Sequence, residues 1–227
     1  MKVVITGAAG ILGAAVARAF LSAGASLVLI DRAAATHDPL KVTADPHVFL
    51  DGVDLTDPSQ ALRAIDAAAA KLGGIDVLVN IAGAFRWETI ADGSLETWDF
   101  LYSVNLKTAL CACKAALKFL PADNGRIVNV GAAAAAKAGG GMGAYTASKA
   151  GVAKLTEALA EELKDKGINV NAVLPTIIDT PANRADMPKA DFARWVAPDA
   201  LADVIVFLSS RAARAITGAS ILVSGRV

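Results

Sequence analysis

Short apolar runs alternate along the chain with longer stretches in which apolar residues recur every three or four positions. The short runs predict β-strands at positions 2–6, 26–31, 47–51, 75–80, 125–130, 168–174 and 219–223. The longer stretches predict helices at 12–23, 58–72, 95–120, 144–166 and 199–209. Strands that are apolar on both faces and separated by helices form a parallel sheet covered on both sides. We therefore predict a single doubly wound α/β domain over residues 1–227, with helices on both faces of one parallel sheet.

Two stretches interrupt this alternation. Residues 32–46 are rich in Pro, Asp and Thr, and they predict a loop where a crossover helix would be expected. Residues 175–198 carry Pro, Asp, Asn and Trp without a long periodic element. A loop of that length in a compact domain usually covers or binds a ligand, so we expect a lid at this place.

The composition narrows the class of protein. The chain has 227 residues, of which 55% are hydrophobic and 19% charged, and this excludes a disordered chain, a coiled coil and a collagen-like repeat. Its 22 basic residues balance its 22 acidic ones, so no net field would attract nucleic acid or an anionic membrane. No long apolar stretch is free of polar breaks, and the first residues lack the pattern of a signal peptide. We expect a cytoplasmic protein that acts on a small molecule, with no nucleic-acid or membrane partner.

Residues that bind metals or form disulfides are few. Cys111 and Cys113 are the two cysteines, and their spacing places them on different sides of a helix. His37 and His47 are the two histidines, and both fall near the predicted loop. We therefore expect neither a disulfide framework nor a metal site.

A glycine-rich turn follows the first predicted strand. Thr6 ends that strand, and the chain continues as Gly7-Ala8-Ala9-Gly10-Ile11-Leu12-Gly13 into a helix. Glycines there let the backbone approach the pyrophosphate of a dinucleotide, which would bind at Gly7, Gly10, Ile11, Leu12 and Gly13. Asp31 ends the second strand about 20 residues on, where a carboxylate would accept the ribose hydroxyls and repel a 2′-phosphate. The pattern favours NAD(H), although Arg32 leaves NADP(H) open. The alternative for the glycines is a simple helix cap, and the alternative for Asp31 is a solvated acid in a turn.

A second signal opens the fourth predicted helix. Tyr145 and Lys149 are four residues apart, which places the phenol and the ammonium on one helix face. A nearby cation lowers the pKa of a tyrosine from its ordinary value of about 10 and makes the phenol a proton donor near neutrality. The alternative is an ordinary exposed helix face.

Together these motifs resemble the short-chain dehydrogenase/reductase family along essentially the whole chain. The resemblance implies a Rossmann-like, dinucleotide-binding catalytic domain and an NAD(P)-dependent oxidoreductase, and we expect a homo-oligomer, either a dimer or a tetramer. It further implies that Tyr145 is the general acid/base, that Lys149 binds the nicotinamide ribose, and that Asn105 anchors a water of the proton relay. The remaining cofactor contacts that it implies are Asp54 and Leu55 near adenine, Asn80, Ala82 and Gly83 in the cleft, and Pro175, Ile178 and Thr180 at the carboxamide end.

The chain departs from the family pattern in two places. The glycines are spaced Gly7, Gly10 and Gly13, with Ile11 where the commonest branch has its middle glycine. More important for chemistry, Ala132 stands where the family has a serine that hydrogen-bonds the substrate oxygen, and residues 131–136 contain no hydroxyl. A carbonyl substrate would lose a donor that elsewhere is worth roughly 2.7–4 kcal/mol in the transition state.

In its lid segment and in the absence of the serine, the chain is similar to the dihydropteridine reductase branch of the family. That branch shares the shifted glycines and the approach Gly141-Met142 to the tyrosine, but it does not carry Asn105. The resemblance implies reduction of a quinonoid, imine-like substrate. Two alternatives stay open, namely a general alcohol dehydrogenase or carbonyl reductase and a non-catalytic dinucleotide sensor.

Three tryptophans bear on the shape of the substrate. Trp87 follows the cofactor loop and Trp195 lies in the predicted lid, so both are candidates to stack on a planar ring alongside Ala132; simple packing is the alternative. Trp98 falls in a helix and is assigned to core or interface. Arg184 in the lid is interpreted as a solvated charge, with an acidic substrate group as the alternative.

Overall fold

The computed structural model describes residues 1–38, 40 and 47–227 of the chain. Within them the strands are Lys2–Thr6 (β1), Ser26–Ile30 (β2), Val48–Leu50 (β3), Val77–Asn80 (β4), Arg126–Val130 (β5), Asn169–Pro175 (β6) and Ser220–Val223 (β7). The helices are Ile11–Ser22 (α1), Pro58–Leu72 (α2), Leu95–Leu101 (α3), Thr108–Ala116 (α4), Gly143–Leu163 (α5), Pro181–Asp186 (α6) and Pro198–Leu208 (α7).

The seven strands form one parallel sheet in the order β3-β2-β1-β4-β5-β6-β7. Every neighbouring pair is parallel, so the carboxyl ends of all the strands lie at the same edge. The strand order reverses between β1 and β4, and in open α/β sheets a ligand binds at the crevice beside such a reversal. The predicted fold class is confirmed, and the sheet places the loops after β1 and β4 side by side.

Two apolar layers cover the sheet. Helices α1 and α7 pack with Val3 and Ile5 of β1 on one face. Helices α2, α4 and α5 pack with Val4 on the other face. Because successive side chains of a strand point to opposite faces, an unbroken apolar run such as β1 supplies both layers.

The ends of α2 show why the bounds predicted from the sequence agree with the structure for some helices. Asp57 accepts hydrogen bonds from the backbone nitrogens of Ser59 and Gln60, and Pro58 occupies the first turn. Gly73 ends the helix in the left-handed conformation, with φ of 70°. These are strong start and stop signals, and α2 has the predicted bounds.

The predicted continuous helix over 95–120 is wrong in its middle and at its end. A π-helical segment, Tyr102–Lys107, separates α3 from α4, and the backbone nitrogen of Thr108 bonds to the Ser103 oxygen five residues back. The apolar periodicity carries no mark of this wider turn. Helix α4 stops at Ala116, so the last four predicted positions form a turn. The wider turn contains Asn105, and such segments often occur at functional sites.

The two predicted loops contain only short elements where they are described. In residues 32–46 the structure has a 3₁₀ turn, Ala35–His37, while positions 39 and 41–46 of that prediction lie outside the described residues. The segment after β6 contains α6 and a 3₁₀ turn at Phe192–Arg194. It closes on itself where the Asp179 nitrogen donates to the Val196 oxygen at 2.8 Å. No helix within the described ranges is both long and apolar enough to cross a membrane.

Candidate active site

A cleft of about 1600 Å³ opens at the carboxyl ends of the strands, on the side of the sheet reversal. Most of the residues predicted for the site line this cleft. They are Gly7, Gly10, Ile11, Leu12, Gly13, Asp31, Arg32, Asp54, Leu55, Ala82, Gly83, Ala132, Tyr145, Lys149, Pro175, Ile178 and Thr180. Four predicted residues, Asn80, Asn105, Trp87 and Trp195, are not part of its wall.

The glycine turn has no room for a side chain at Gly7 or at Gly13. Gly7 has φ of 68°, and a Cβ atom added to it would lie 2.6 Å from the Ala82 nitrogen. A Cβ atom on Gly13 would lie 2.3 Å from the Gly7 oxygen. Gly10 is the N-cap residue of α1, and no side chain caps this helix end. The first residues of the helix, Ile11 to Gly13, line the cleft, where their backbone nitrogens can serve as donors. This narrow turn at a helix N-terminus suits the pyrophosphate of a dinucleotide.

Asp31 is fixed beside the same turn. Its carboxylate accepts hydrogen bonds from the backbone nitrogens of Ala9 and Ala33, each at 2.9 Å. Arg32 is exposed and also lines the cleft. Farther along, Asp54 accepts from both the backbone nitrogen and the hydroxyl of Thr56, at 2.9 and 2.8 Å. The end of β2 thus places one oriented carboxylate beside the glycine turn, with the exposed guanidinium of Arg32 next to it in sequence.

Tyr145 and Lys149 lie at the other end of the cleft. Lys149 is buried, and its Nζ donates to the Val130 oxygen at 2.8 Å. Burial lowers the pKa of Lys149 to about 8, because an ammonium loses hydration there. Burial raises the pKa of Tyr145 to about 12, because the charged phenolate also loses hydration there. The expected lowering of the tyrosine pKa is therefore wrong for this structure, in which desolvation of the phenolate is the dominant effect.

Asn105 connects the loop after β4 to α5. Its Oδ1 accepts from the Ala84 nitrogen at 2.8 Å, and its Nδ2 donates to the Ala84 oxygen at 3.0 Å and to Ser148 Oγ at 2.9 Å. The Ser148 hydroxyl in turn donates to the backbone carbonyl oxygen of Tyr145 at 2.7 Å. The Asn105 side chain is buried and bonded at both polar atoms, so it holds the site together from behind the cleft wall.

A buried polar network beneath the cleft was not predicted. Asn80 donates to Asn129 Oδ1 at 2.8 Å and to Cys113 Sγ at 3.2 Å, and Asn129 donates to Thr156 Oγ1 at 2.9 Å. Asn80 therefore ties β4 to β5 and α4 below the cofactor loop rather than lining the cleft. The signal available in the sequence was a lone asparagine inside the apolar strand 125–130.

Ala132 lies in the cleft wall, 4% exposed, at the start of a short turn of four alanines. Its neighbours Ala133 and Ala134 also line the cleft. The hydroxyl that the family places here is absent, and the three methyl groups make this wall apolar.

The two tryptophans expected to stack on a substrate lie elsewhere. Trp87 is 61% exposed, and its Nε1 donates to the Gly140 oxygen at 3.0 Å. Trp195 is buried and packs on Phe192, with ring centroids 4.8 Å apart. Neither ring borders the cleft, so the predicted stacking role is not supported for either.

Arg184 and the two cysteines complete the set of residues considered in the sequence. Arg184 forms a bidentate ion pair with Asp179, at 2.6 and 2.7 Å, so it is neither a free charge nor directed at a substrate. Cys111 and Cys113 are free thiols. Among the residues that the structure describes, no cluster of three His, Cys, Asp or Glu side chains could hold a metal ion.

Comparison with known proteins gives matches to dehydrogenases and reductases. The family model described as short chain dehydrogenase matches residues 1–191. D-threitol dehydrogenase of Mycolicibacterium smegmatis is 35% identical over 97% of this chain and 90% of its own length. The 3-oxoacyl-[acyl-carrier-protein] reductase of Thermotoga maritima is 33% identical over 97% of this chain and 95% of its own length.

A solved structure extends the likeness to the whole fold. A short chain dehydrogenase from Burkholderia cenocepacia, in complex with NADP, superposes with a TM-score of 0.91 at 31% identity, covering 99% of this chain and 96% of the other. None of these three proteins is described as a pteridine reductase, so they lend no support to the predicted pteridine-like branch.

Proposed function

The chain belongs to the short chain dehydrogenase family and is an NAD(P)-dependent oxidoreductase, and we propose that it reduces a conjugated imine or quinonoid, pteridine-like substrate with NADH. The proposal has two parts beyond the family, the class of substrate and the choice of cofactor. Each is carried by one side chain in the cleft.

The observation that carries the substrate class is Ala132. A simple ketone concentrates negative charge on one oxygen as it accepts a hydride, and enzymes stabilise that oxygen with placed donors. The wall at Ala132 offers methyl groups instead of a donor. A conjugated imine or quinonoid spreads the developing charge over several atoms and needs a proton more than it needs a donor at one position. The apolar wall therefore suits the conjugated electrophile.

The chain's own residues divide the work of binding and proton transfer. The glycine turn and Asp31 would hold the adenosine half of the cofactor, and Lys149 would bind the nicotinamide ribose. The nicotinamide, when bound, supplies the hydride. Tyr145 lines the cleft, and its phenol would donate the proton to the substrate atom that gains negative charge. Because burial raises the pKa of Tyr145 to about 12, the phenol keeps its proton at neutral pH until the substrate takes it.

Asp31 supports NADH over NADPH. Its carboxylate is held by two backbone nitrogens beside the turn, where a 2′-phosphate on the adenosine ribose would meet a negative charge. Arg32 is the opposing influence, since an exposed guanidinium at the same place would attract that phosphate.

Replacing Asp31 with serine should lower the ratio of NADPH to NADH dissociation constants by about tenfold or more, because the repulsion of the phosphate is removed. Fluorescence titration of both cofactors measures the ratio. Arg32→Ala is the matched control and should raise the same ratio. Equal affinity of the wild type for NADH and NADPH would show that Arg32 dominates and would refute the assignment.

Restoring a hydroxyl with Ala132→Ser should separate the two classes of substrate. We expect kcat/KM for simple ketones to rise by about tenfold or more, as a gained donor implies, and kcat/KM for quinones or quinonoid dihydropterin to stay nearly constant. Ala135→Ser, which adds a hydroxyl outside the cleft wall, is the control. An equal rise in kcat/KM for both classes of substrate would contradict the substrate class inferred from Ala132.

Carbonyl reduction is a second candidate, and one observation favours it. Thr180 lines the cleft, and its Oγ1 accepts from the Asn183 nitrogen at 3.2 Å, which leaves the hydroxyl proton available to a substrate oxygen. This hydroxyl would replace the missing serine. If the wild type reduces ordinary ketones efficiently and Ala132→Ser changes nothing, this candidate takes the place of the first.

A further inference from the structure

Trp87 makes an unusual contact with the segment that leads into α5. Its indole nitrogen donates to the Gly140 oxygen at 3.0 Å. A Cβ atom added to Gly141 would lie 2.1 Å from the indole Cε2, so the ring occupies the place of a side chain at that position. Gly141 also has φ of 73°, which disfavours any other residue. Ring and glycine are therefore matched to each other in shape.

The residue after Trp87 fixes the same segment. The Glu88 nitrogen donates to the Gly141 oxygen at 2.9 Å. The Glu88 carboxylate accepts from Thr97 Oγ1 at 2.7 Å and from the Ser94 nitrogen at 3.1 Å, which anchors it to the start of α3. The glycine segment is thus held by two consecutive residues, of which Glu88 is anchored to the start of α3.

This contact lies close to the proton donor. Helix α5 begins at Gly143, two residues after Gly141, and Tyr145 is in its first turn. Phe85, two residues before Trp87, places its ring edge-on to the Tyr145 ring, with centroids 4.9 Å apart and planes at 83°. The chain from Phe85 to Glu88 therefore contacts both the phenol ring and the backbone that precedes it.

Burial alone does not account for Trp87. The side chain is 61% exposed, so it gains little of the hydrophobic stabilisation that a buried tryptophan supplies. We propose that Trp87 is a positioning residue that sets the start of α5 and thereby the place of the Tyr145 hydroxyl in the cleft. This inference rests on the proposed role of Tyr145 as proton donor.

A double-mutant cycle with an ortho-quinone and NADH tests the inference. Trp87→Ala should lower kcat by about ten- to 100-fold, the range expected when a reacting group moves by up to 1 Å, with little change in KM for NADH. Trp87→Phe keeps a ring without the N–H donor and should restore part of that loss. In a Tyr145→Phe background Trp87→Ala should have almost no further effect, because the group it positions is absent. Losses that simply multiply in the double variant would overturn the inference.

A second measurement needs no turnover. The chain has two tyrosines, Tyr102 and Tyr145, so ¹³C-tyrosine labelling gives two ring signals. Trp87→Ala should shift or broaden the Tyr145 signal and leave that of Tyr102 in place, whereas an unchanged Tyr145 signal would refute the inference. Phe207→Ala, which removes an exposed ring from α7 outside the cleft wall, is the control for both measurements. If Tyr145→Phe itself leaves turnover unchanged, the proposed function fails, and the labelling result still decides whether Trp87 positions that ring.

Discussion

Replacing Tyr145 with phenylalanine is expected to lower kcat by about 10²–10⁴-fold, the usual contribution of a placed general acid. The phenylalanine ring can keep the edge-on contact with Phe85, so the cleft should retain its shape while losing one hydroxyl. Binding of NADH should therefore stay nearly unchanged. Steady-state kinetics with a panel of quinones, quinonoid dihydropterin and simple ketones gives the first quantity, and a fluorescence titration with NADH gives the second.

Tyr102→Phe is the matched control for this substitution. Tyr102 is half exposed and lies outside the cleft wall, so the same chemical change there should leave kcat close to that of the wild type. If Tyr145→Phe retains turnover within about threefold of wild type, well below the effect of a general acid, the proton donor is another group. A wild type that binds NADH but reduces nothing in the panel would instead favour the sensor alternative.

Gly7→Ala should weaken cofactor binding by more than about 100-fold, which corresponds to the loss of one or two charge-assisted hydrogen bonds to the pyrophosphate. The added Cβ would lie 2.6 Å from the Ala82 nitrogen, so the turn and the loop after β4 cannot both stay in place. Both segments line the cofactor cleft. Titration with NADH and NADPH measures the loss for both cofactors.

Gly24 provides a control for backbone strain. It has φ of 73°, close to the 68° of Gly7, but a Cβ atom there would meet nothing within 4 Å. Gly24→Ala should cost about 1–2 kcal/mol of stability from the left-handed backbone and leave cofactor affinity as it is. Comparable losses of affinity in the two variants would show that strain, not contact with Ala82, governs the turn.

The sequence predicts the fold well because its signals are local and repeated. Strands β1 and β2 are apolar on both faces over most of their length, and α2 has Asp57 and Gly73 as start and stop signals. The π-helical segment at 102–107 has no such signal, because its apolar spacing differs little from that of an α-helix. The place of Asn105 behind the cleft follows from that wider turn and could not be inferred from the motif alone.

Side chains whose role depends on distant contacts were harder to predict. Trp87 meets Gly140, which is 53 positions away in the sequence, and this pairing is fixed only when the loop after β4 packs beside the start of α5. Trp195 is turned inward by its packing on Phe192. The spacing of Tyr145 and Lys149 predicts a shared helix face correctly but carries no information on burial, and burial reverses the expected change in the tyrosine pKa.

Burial of Lys149 and of Tyr145 makes the stability of the fold depend on pH, and the two groups act in opposite directions. Between about pH 8 and 10.5 the unfolded chain keeps the Lys149 proton that the folded chain has lost, so the contribution of Lys149 to stability rises with pH. From about pH 10 to 12 the unfolded chain loses the tyrosine proton that the folded chain retains, so the contribution of Tyr145 falls. Their combined contribution is greatest near pH 10, where Lys149 no longer carries the positive charge it has at neutral pH. At neutral pH the fold therefore keeps a charged ammonium at Lys149 in the cleft, although a neutral amine there would make the folded state more stable.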